Sequence, residues 1–537
     1  MSINADSQAC FDQARRWLHD CRTKHDLCQS FANTEALLPT RVIDIGPVGE
    51  DIRPRLHISA QGEVGQWIAL SHCWGKAQPL ITTEETLEER VAAIPLVLLP
   101  PLFRDALYIV RELGYQYLWI DSLCIIQDST QDWSKESATM DKVYGDSILC
   151  LAAEDCVNSA TGIFESGNKL REEYRERIRV PCFNSNEPGK RGTMYTGPGW
   201  RSRRTSSGPL SERAWTLQED VLSPRSLKWT SKQLEWGCRT MERVEQFPNE
   251  DYLDELSDMM IFKQTLQPKK ELPLKALEPK MQNEIYTTWT RIVSRLSMRK
   301  ITQKADRFPA LSGIAKLVHE RTGWTYKAGL WLERMHEGLL WHAELKGNYA
   351  NFKLSETYIA PSWSWASAFY IDPPRMYSEP DGYRNSDQFP NRHTGIHFPE
   401  ATRGWTTTTT IENVNIVTTG DAFARIQRAS LKVSGLARRS GNELYIEILR
   451  KPYFSHLKHG ETFEEGDITS PIGETSSGLI LNPIAGQAGF YRRVGTFYSV
   501  DRQVFDHQLQ ESPKITPDKT QIEHWDASWA TQTVIIL

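Results

Sequence analysis

At 537 residues the chain exceeds the roughly 100 to 200 residues that one compact core organises, so its length predicts about three units. Hydrophobic residues make up 39% and tryptophan alone numbers 18, which supplies enough large apolar surface to order most of the chain and excludes wholesale disorder. A net charge of −5 offers no broad attraction for phosphate backbones, which excludes a nucleic-acid binder that relies on charge.

Met1 to Asp12 is polar with two acids and fits neither a secretory signal nor an Arg-rich transit peptide, so a cytoplasmic location is expected. The most apolar run, Ile94 to Phe103, is broken by Pro100 and Pro101 and falls short of the about 20 residues that a membrane span needs. Nine cysteines without dense, even spacing predict free thiols in a reducing compartment.

Along the chain, Ala14, Trp17, Leu18, Cys21, His25 and Cys28 recur at helical intervals and predict one helix from about Gln8 to Gln29. Arg41-Val-Ile-Asp-Ile then reads as a short strand bounded by Gly46-Pro47. Trp67-Ile-Ala-Leu-Ser-His72 is a strand, Leu102 to Leu113 a helix that Gly114 ends, and Tyr117-Leu-Trp-Ile-Asp121 a second strand. Thr130 to Tyr144 reads as a helix, with Ser129 and Asp132 at capping-box spacing, and Ser147 to Ala153 as a third strand. This alternation predicts a parallel α/β sheet.

Farther on, Asn184 to Leu210 reads as a long loop, Ser211 to Val221 as a helix and Arg225 to Cys238 as a strand pair. Arg201, Arg203, Arg204 and Arg213 sit among Gly and Ser and read as a solvated loop. Asn283 to Leu296 and Ala310 to His319 are helices, residues 370–410 an insertion or linker, and the alternating segments after Ser430 a β-rich end. The expected regions are a helical N-terminal segment (1–65), an α/β domain (66–240), a helical region (241–345) and a β-rich C-terminal region (346–537).

Ligands of an open parallel sheet bind at the carboxyl ends of its strands, where loops and helix amino termini converge. That rule selects Ser71, His72, Cys73, Trp74 and Gly75 after the first strand, Asp121 and Ser122 after the second, and Glu154 and Asp155 after the third. The first two groups are the candidate substrate-binding residues. Glu136 lies about 60° around its helix from Trp133 and borders a seam of Trp133, Ser137, Met140 and Tyr144, in a turn whose dipole favours a carboxylate.

Four blocks occur in order: Ala69-Leu-Ser-His-Cys-Trp-Gly75; Tyr117-Leu-Trp-Ile-Asp-Ser-Leu-Cys-Ile-Ile-Gln-Asp128; Trp133 with Glu136, Met140 and Tyr144; and Arg213-Ala-Trp-Thr-Leu-Gln-Glu219 followed by Leu222-Ser-Pro-Arg225. Together they are similar to the signature blocks of the fungal heterokaryon incompatibility (HET) domain. The resemblance implies a role in self/non-self recognition, with the domain triggering programmed death of a fused cell, and a partner protein or self-association. It also implies a TIR-like, Rossmannoid fold, since HET domains are regarded as distant relatives of TIR domains. Some TIR domains cleave NAD+ with a helix glutamate, and Trp133 with Glu136 resembles that Trp-to-Glu pair at a spacing of three residues where plant members commonly have four. Glu136 is therefore the expected catalytic residue of an NAD+ nucleosidase, with NAD+ as substrate and no bound cofactor. The alternative is a non-enzymatic adaptor.

No G-x-G-x-x-G follows a strand and no P-loop is present, which disfavours redox Rossmann and NTPase chemistry. A cysteine hydrolase built on His72 and Cys73, with Asp121 as orienter, is disfavoured because neighbours on a strand face opposite ways. Cys10, Cys21, His25 and Cys28 read as a packed helix face, since C-x10-C-x3-H-x2-C matches no usual zinc spacing, and no metal is expected.

Overall fold

The computed structural model describes residues 4–29, 36–75, 80–165, 178–183, 191–196, 208–245, 248, 257–266, 278–344, 352–354, 357–370, 395–398, 406–419, 422–423, 425–440, 443–453, 473–500, 503–508 and 530–537. The chain divides into two compact units, one built mainly from Met1–Lys275 and the other from Ala276–Pro374 and Gln388–Leu537. It is a mixed α/β protein with parallel and antiparallel pairing.

The first unit opens with α1 (Gln8–Lys24) and α2 (Asp26–Gln29). The single helix expected here is interrupted at His25, whose φ of −96° and ψ of 104° are extended rather than helical. Its sheet contains β1 (Arg41–Asp44), β2 (Arg55–Ile58), β3 (Trp67–Ser71), β4 (Tyr117–Trp119), β5 (Leu149–Ala152), β6 (Arg225–Trp229), β7 (Leu234–Cys238) and β8 (Glu242–Val244). The spatial order is β8-β7-β6-β5-β3-β4-β1-β2. The four central strands β6, β5, β3 and β4 run parallel, while antiparallel strands extend both edges. Every residue of β3 and β5 is buried, the continuous apolar pattern of strands covered on both faces.

Between β3 and β4 runs α3 (Pro101–Glu112), with Pro101 at its first position and Leu102, Phe103, Ala106, Ile109 and Val110 buried. Gly114 follows with φ of +84°, a left-handed backbone that a glycine adopts without strain. After β4 the chain turns at once into α4 (Asp121–Cys124), so Asp121 opens a helix instead of closing the strand.

The expected helix from Thr130 to Tyr144 is two helices, α5 (Thr130–Ser137) and α6 (Met140–Gly145). Thr139 satisfies the Glu136 carbonyl with both its backbone N–H and its hydroxyl, at 3.0 Å each, which offers the chain an alternative to continued helix. The expected seam shifts accordingly: Trp133 and Ser137 are half-buried, and Glu136 is the buried residue of α5.

The predicted loop from Asn184 is in part a strand, because Arg191–Thr196 pairs antiparallel with Ile178–Phe183. Arg201, Arg203 and Arg204 lie outside the described residues. A 3₁₀ turn (Leu210–Glu212) and α7 (Trp215–Leu222) precede β6, and α8 (Asp258–Leu266) follows β8.

The second unit has two long helices, α9 (Pro279–Ser297) and α10 (Pro309–Thr322), and a β-rich end. That end comprises β9 (Thr409–Thr418), β10 (Ile426–Ser440), β11 (Glu443–Tyr453), β12 (Gly473–Pro483), β13 (Phe490–Val500), β14 (Gln503–Gln508) and β15 (Ala530–Ile536). The pairings β11–β12, β12–β13, β13–β15, β15–β10 and β10–β11 close a ring, which removes free edges from those strands. Trp289, Trp331, Trp341, Trp363 and Trp365 are fully buried in this unit, and the Arg493 guanidinium lies 3.8 Å from the Trp341 ring centre.

Candidate functional site

Among the parallel strands β3 comes first in sequence yet lies between β4 and β5, so the chain leaves it on one side and returns on the other. Such a reversal opens a crevice at the strands' carboxyl ends. Ser71 closes β3, His72 to Gly75 follow it, Asp121 and Ser122 follow β4, and Glu154 follows β5.

The structure brings several of these together. His72 Nδ1 lies 3.7 Å from Asp121 Oδ1, and Trp74 Nε1 donates to Asp121 Oδ2 at 2.8 Å. Asp121 Oδ1 also accepts from the Ser122 backbone N–H at 2.7 Å. Burial holds the His72 imidazole below its ordinary range against the pull of Asp121. His72 Nε2 and Ser122 Oγ are buried without a hydrogen-bond partner among the described residues, so each retains bonding capacity that a ligand or water can use.

Gly75 is fixed by geometry. Its φ is +72°, and a Cβ there would stand 2.4 Å from Asn158 Cβ and 2.9 Å from Val157 O. Cys73 packs with Ala152 and Leu210, and burial pushes its thiol up to about 11, so it stays protonated and unreactive near neutral pH.

A carboxylate to which sequence reasoning gave no role reaches the same strand ends from α7. Glu219 accepts from the Ser71 hydroxyl, and both side chains are buried. Burial pushes Glu219 up to about 7, against the Ser71 hydrogen bond and the charge of Arg213. Arg213 is half-buried and donates to the His72 carbonyl, which corrects its reading as part of a solvated loop. Glu154 accepts from the Gly208 N–H at 2.7 Å and Asp155 from Ser231, so this pair braces neighbouring loops.

Glu136 keeps different company. Its Oε1 lies 3.7 Å from Arg41 Nη2 and 3.8 Å from Lys135 Nζ, and Arg41 also bonds Asp132 and the Cys124 carbonyl. Burial raises the Glu136 carboxyl, opposed by Thr40 and Arg41. His72, Trp74 and Ser122 thus gather around Asp121 and Ser71 pairs with Glu219 at neighbouring strand ends, while Glu136 belongs to a buried ion-pair group on β1 and α5.

Residues 67–219 match the family model for heterokaryon incompatibility protein (HET). This segment is a HET domain. No curated protein and no solved structure matches the chain. The HET domain begins at the first residue of β3 and ends at Glu219, so it contains both ends of the Ser71–Glu219 hydrogen bond. The N-terminal helices and β6 to β8 lie outside it. Among the described residues no helix is long and apolar enough to cross a membrane.

The signal for Glu219 was its place in the Arg213 to Glu219 block, in order with the other HET blocks. Local spacing could not reveal that it faces Ser71, 148 positions earlier.

Proposed function

We propose that this HET domain acts in heterokaryon incompatibility by triggering death of the fused cell, and that it does so by hydrolysing the nicotinamide–ribose bond of NAD+ in the crevice of β3, β4 and β5. The observation that carries this reading is Glu219: a buried carboxyl held near 7 by burial, at a strand-end crevice, hydrogen-bonded to Ser71. Near neutral pH such a group exists in both protonation states and can accept a proton.

In the proposed step water attacks the ribose C1′, the C1′–N bond breaks, and its electron pair leaves with nicotinamide. The proton of the water passes to Glu219, and ADP-ribose remains. Nicotinamide departs neutral, so the chief demand is to stabilise the oxocarbenium-like ribose and orient its hydroxyls. Asp121, partly exposed and fixed by Trp74 and Ser122, supplies a second carboxylate, and half-buried Trp74 an aromatic face. The TIR-like resemblance expected from the sequence supports the substrate class and makes Glu136 the competing carboxylate.

A second reading, a non-enzymatic adaptor that binds a partner or itself, is favoured by the near-complete burial of Ser71, His72 and Glu219. Purified chain, alone and under crowding, incubated with NAD+ and followed for nicotinamide separates the readings. Glu219→Gln should reduce release by about 10²- to 10⁴-fold. Loss in Glu136→Gln with retention in Glu219→Gln moves the chemistry to α5, and no release by wild type under any condition favours the adaptor.

A further inference from the structure

The interruption of the N-terminal helix at His25 has a geometric result. Cys21 lies in the last turn of α1, His25 at the break, Cys28 in α2, and Cys238 at the end of β7. Their ligand atoms, three sulfurs and one imidazole nitrogen, all lie within 4.8 Å of one another. His25 Nδ1 is 3.5 Å from Cys238 Sγ. A tetrahedral zinc site with Zn–S near 2.3 Å and Zn–N near 2.0 Å has ligand-to-ligand separations of roughly 3.5 to 3.8 Å. The His25–Cys238 pair already meets that figure, and the widest pair needs to close by about 1 Å. The three cysteines are buried and His25 half-buried, as in a closed site without an open coordination position.

We propose that Cys21, His25, Cys28 and Cys238 bind one zinc ion in a closed structural site that fastens α1 and α2 to the end of β7.

The surrounding charge supports thiolates over packed thiols. Three thiolates and a neutral imidazole on a divalent ion leave a net charge of −1. Arg225, fully buried, donates from Nε to Cys21 Sγ at 3.2 Å and from Nη2 to the Cys28 carbonyl at 3.3 Å. Its third bond goes to the Ile148 carbonyl, so among the described residues its hydrogen-bond partners are a sulfur and two carbonyls, with no carboxylate. Burying a guanidinium beside neutral thiols is costly, whereas a zinc-bound thiolate supplies the missing counter-charge. Arg239, also buried, reaches the neighbouring Leu27 carbonyl at 3.4 Å, and Thr240 Oγ1 lies 3.6 Å from Cys28 Sγ. Three sulfurs and one nitrogen, a donor set suited to tetrahedral coordination, select zinc among abundant divalent ions.

Cys10 shows what a packed cysteine looks like here: its thiol donates to the Asn4 carbonyl at 3.5 Å and it stands outside the cluster. The C-x3-H-x2-C half-site is visible in sequence, but its fourth ligand lies 210 positions beyond Cys28, at the end of β7.

The test is metal analysis of the full chain purified without chelator. The expected content is about one zinc per chain, retained in Cys10→Ser and lost in Cys238→Ser and Cys28→Ser. Because those variants can fail to fold, zinc in the wild-type chain is also exchanged for cobalt. A cobalt spectrum with tetrahedral ligand-field bands and thiolate charge transfer supports the site without any substitution. A folded wild-type chain that holds no zinc and takes up no cobalt overturns the proposal. So does a folded Cys238→Ser that keeps full zinc, or a Cys21–Cys28, Cys21–Cys238 or Cys28–Cys238 disulfide in freshly purified chain.

Discussion

Replacing Glu219 by Gln should change how stability depends on pH, and the size follows from the site. The carboxyl titrates near 4.5 in an unfolded chain and near 7 in the folded one, where burial disfavours its charged form. An acid whose folded value is raised binds protons more readily in the native state, so lowering the pH stabilises the fold. Above 7 the group is charged in both states and the burial penalty is fully present; below about 4.5 it is neutral in both and the penalty is gone. At about 1.4 kcal/mol per pH unit the full linkage is roughly 3 kcal/mol, of which about 2.5 falls between pH 5 and pH 8. Gln carries no titratable group, so the stability of wild type relative to Glu219→Gln should fall by about 2.5 kcal/mol from pH 5 to pH 8. Denaturant unfolding of both proteins at both pH values, followed at the transition that the substitution moves, measures the difference. The chain has two compact units, so the quantity read is the difference between the two proteins. A wild-type-to-variant gap that is the same at pH 5 and pH 8 would refute the reasoning, because Glu219 would then titrate alike in both states.

Three further outcomes are expected. Gly75→Ala places a Cβ 2.4 Å from Asn158 Cβ at a φ of +72°, and left-handed backbone plus overpacking should cost about 2 to 5 kcal/mol, read as a lowered melting temperature. Lys263→Met removes a buried cation that donates to the Ser223 carbonyl and pairs with Asp220 at 3.3 Å. Burial alone would raise Asp220, but Lys228 and Lys263 hold it well below the usual carboxylate range, so loss of one partner should destabilise by about 3 kcal/mol in denaturant titrations. Trp67→Phe leaves the buried Val143 carbonyl without the indole N–H that reaches it at 2.9 Å, which should cost about 1 to 3 kcal/mol by the same assay.

The central strands were legible because their apolar runs are short and separated by a helix with a clear start at Pro101 and stop at Gly114. Their terminal polar residues could be read as a crevice from the strand-end rule alone, and His72, Trp74, Asp121 and Ser122 do meet there. What stayed hidden depends on contacts between distant segments. Periodicity continued through His25 and Thr139, whereas the chain breaks at both, at Thr139 because a local hydroxyl bond competes with the helix. Glu219 looked like an ordinary helix residue until β3 was placed against α7, and Cys238 had no visible link to Cys28 until β7 was placed against α2. Helix geometry put Glu136 at the edge of the core, whereas it is the buried residue of α5, and could not name Arg41 as its partner.

The crevice itself is best tested by hydrogen exchange of Glu219→Gln, which should bind without turning over, in the presence and absence of NAD+. Slowed exchange is expected in peptides covering Ser71 to Gly75 and Asp121 to Ser122 when NAD+ is added. Unchanged exchange in those peptides at saturating NAD+, or protection confined to other segments, would contradict it.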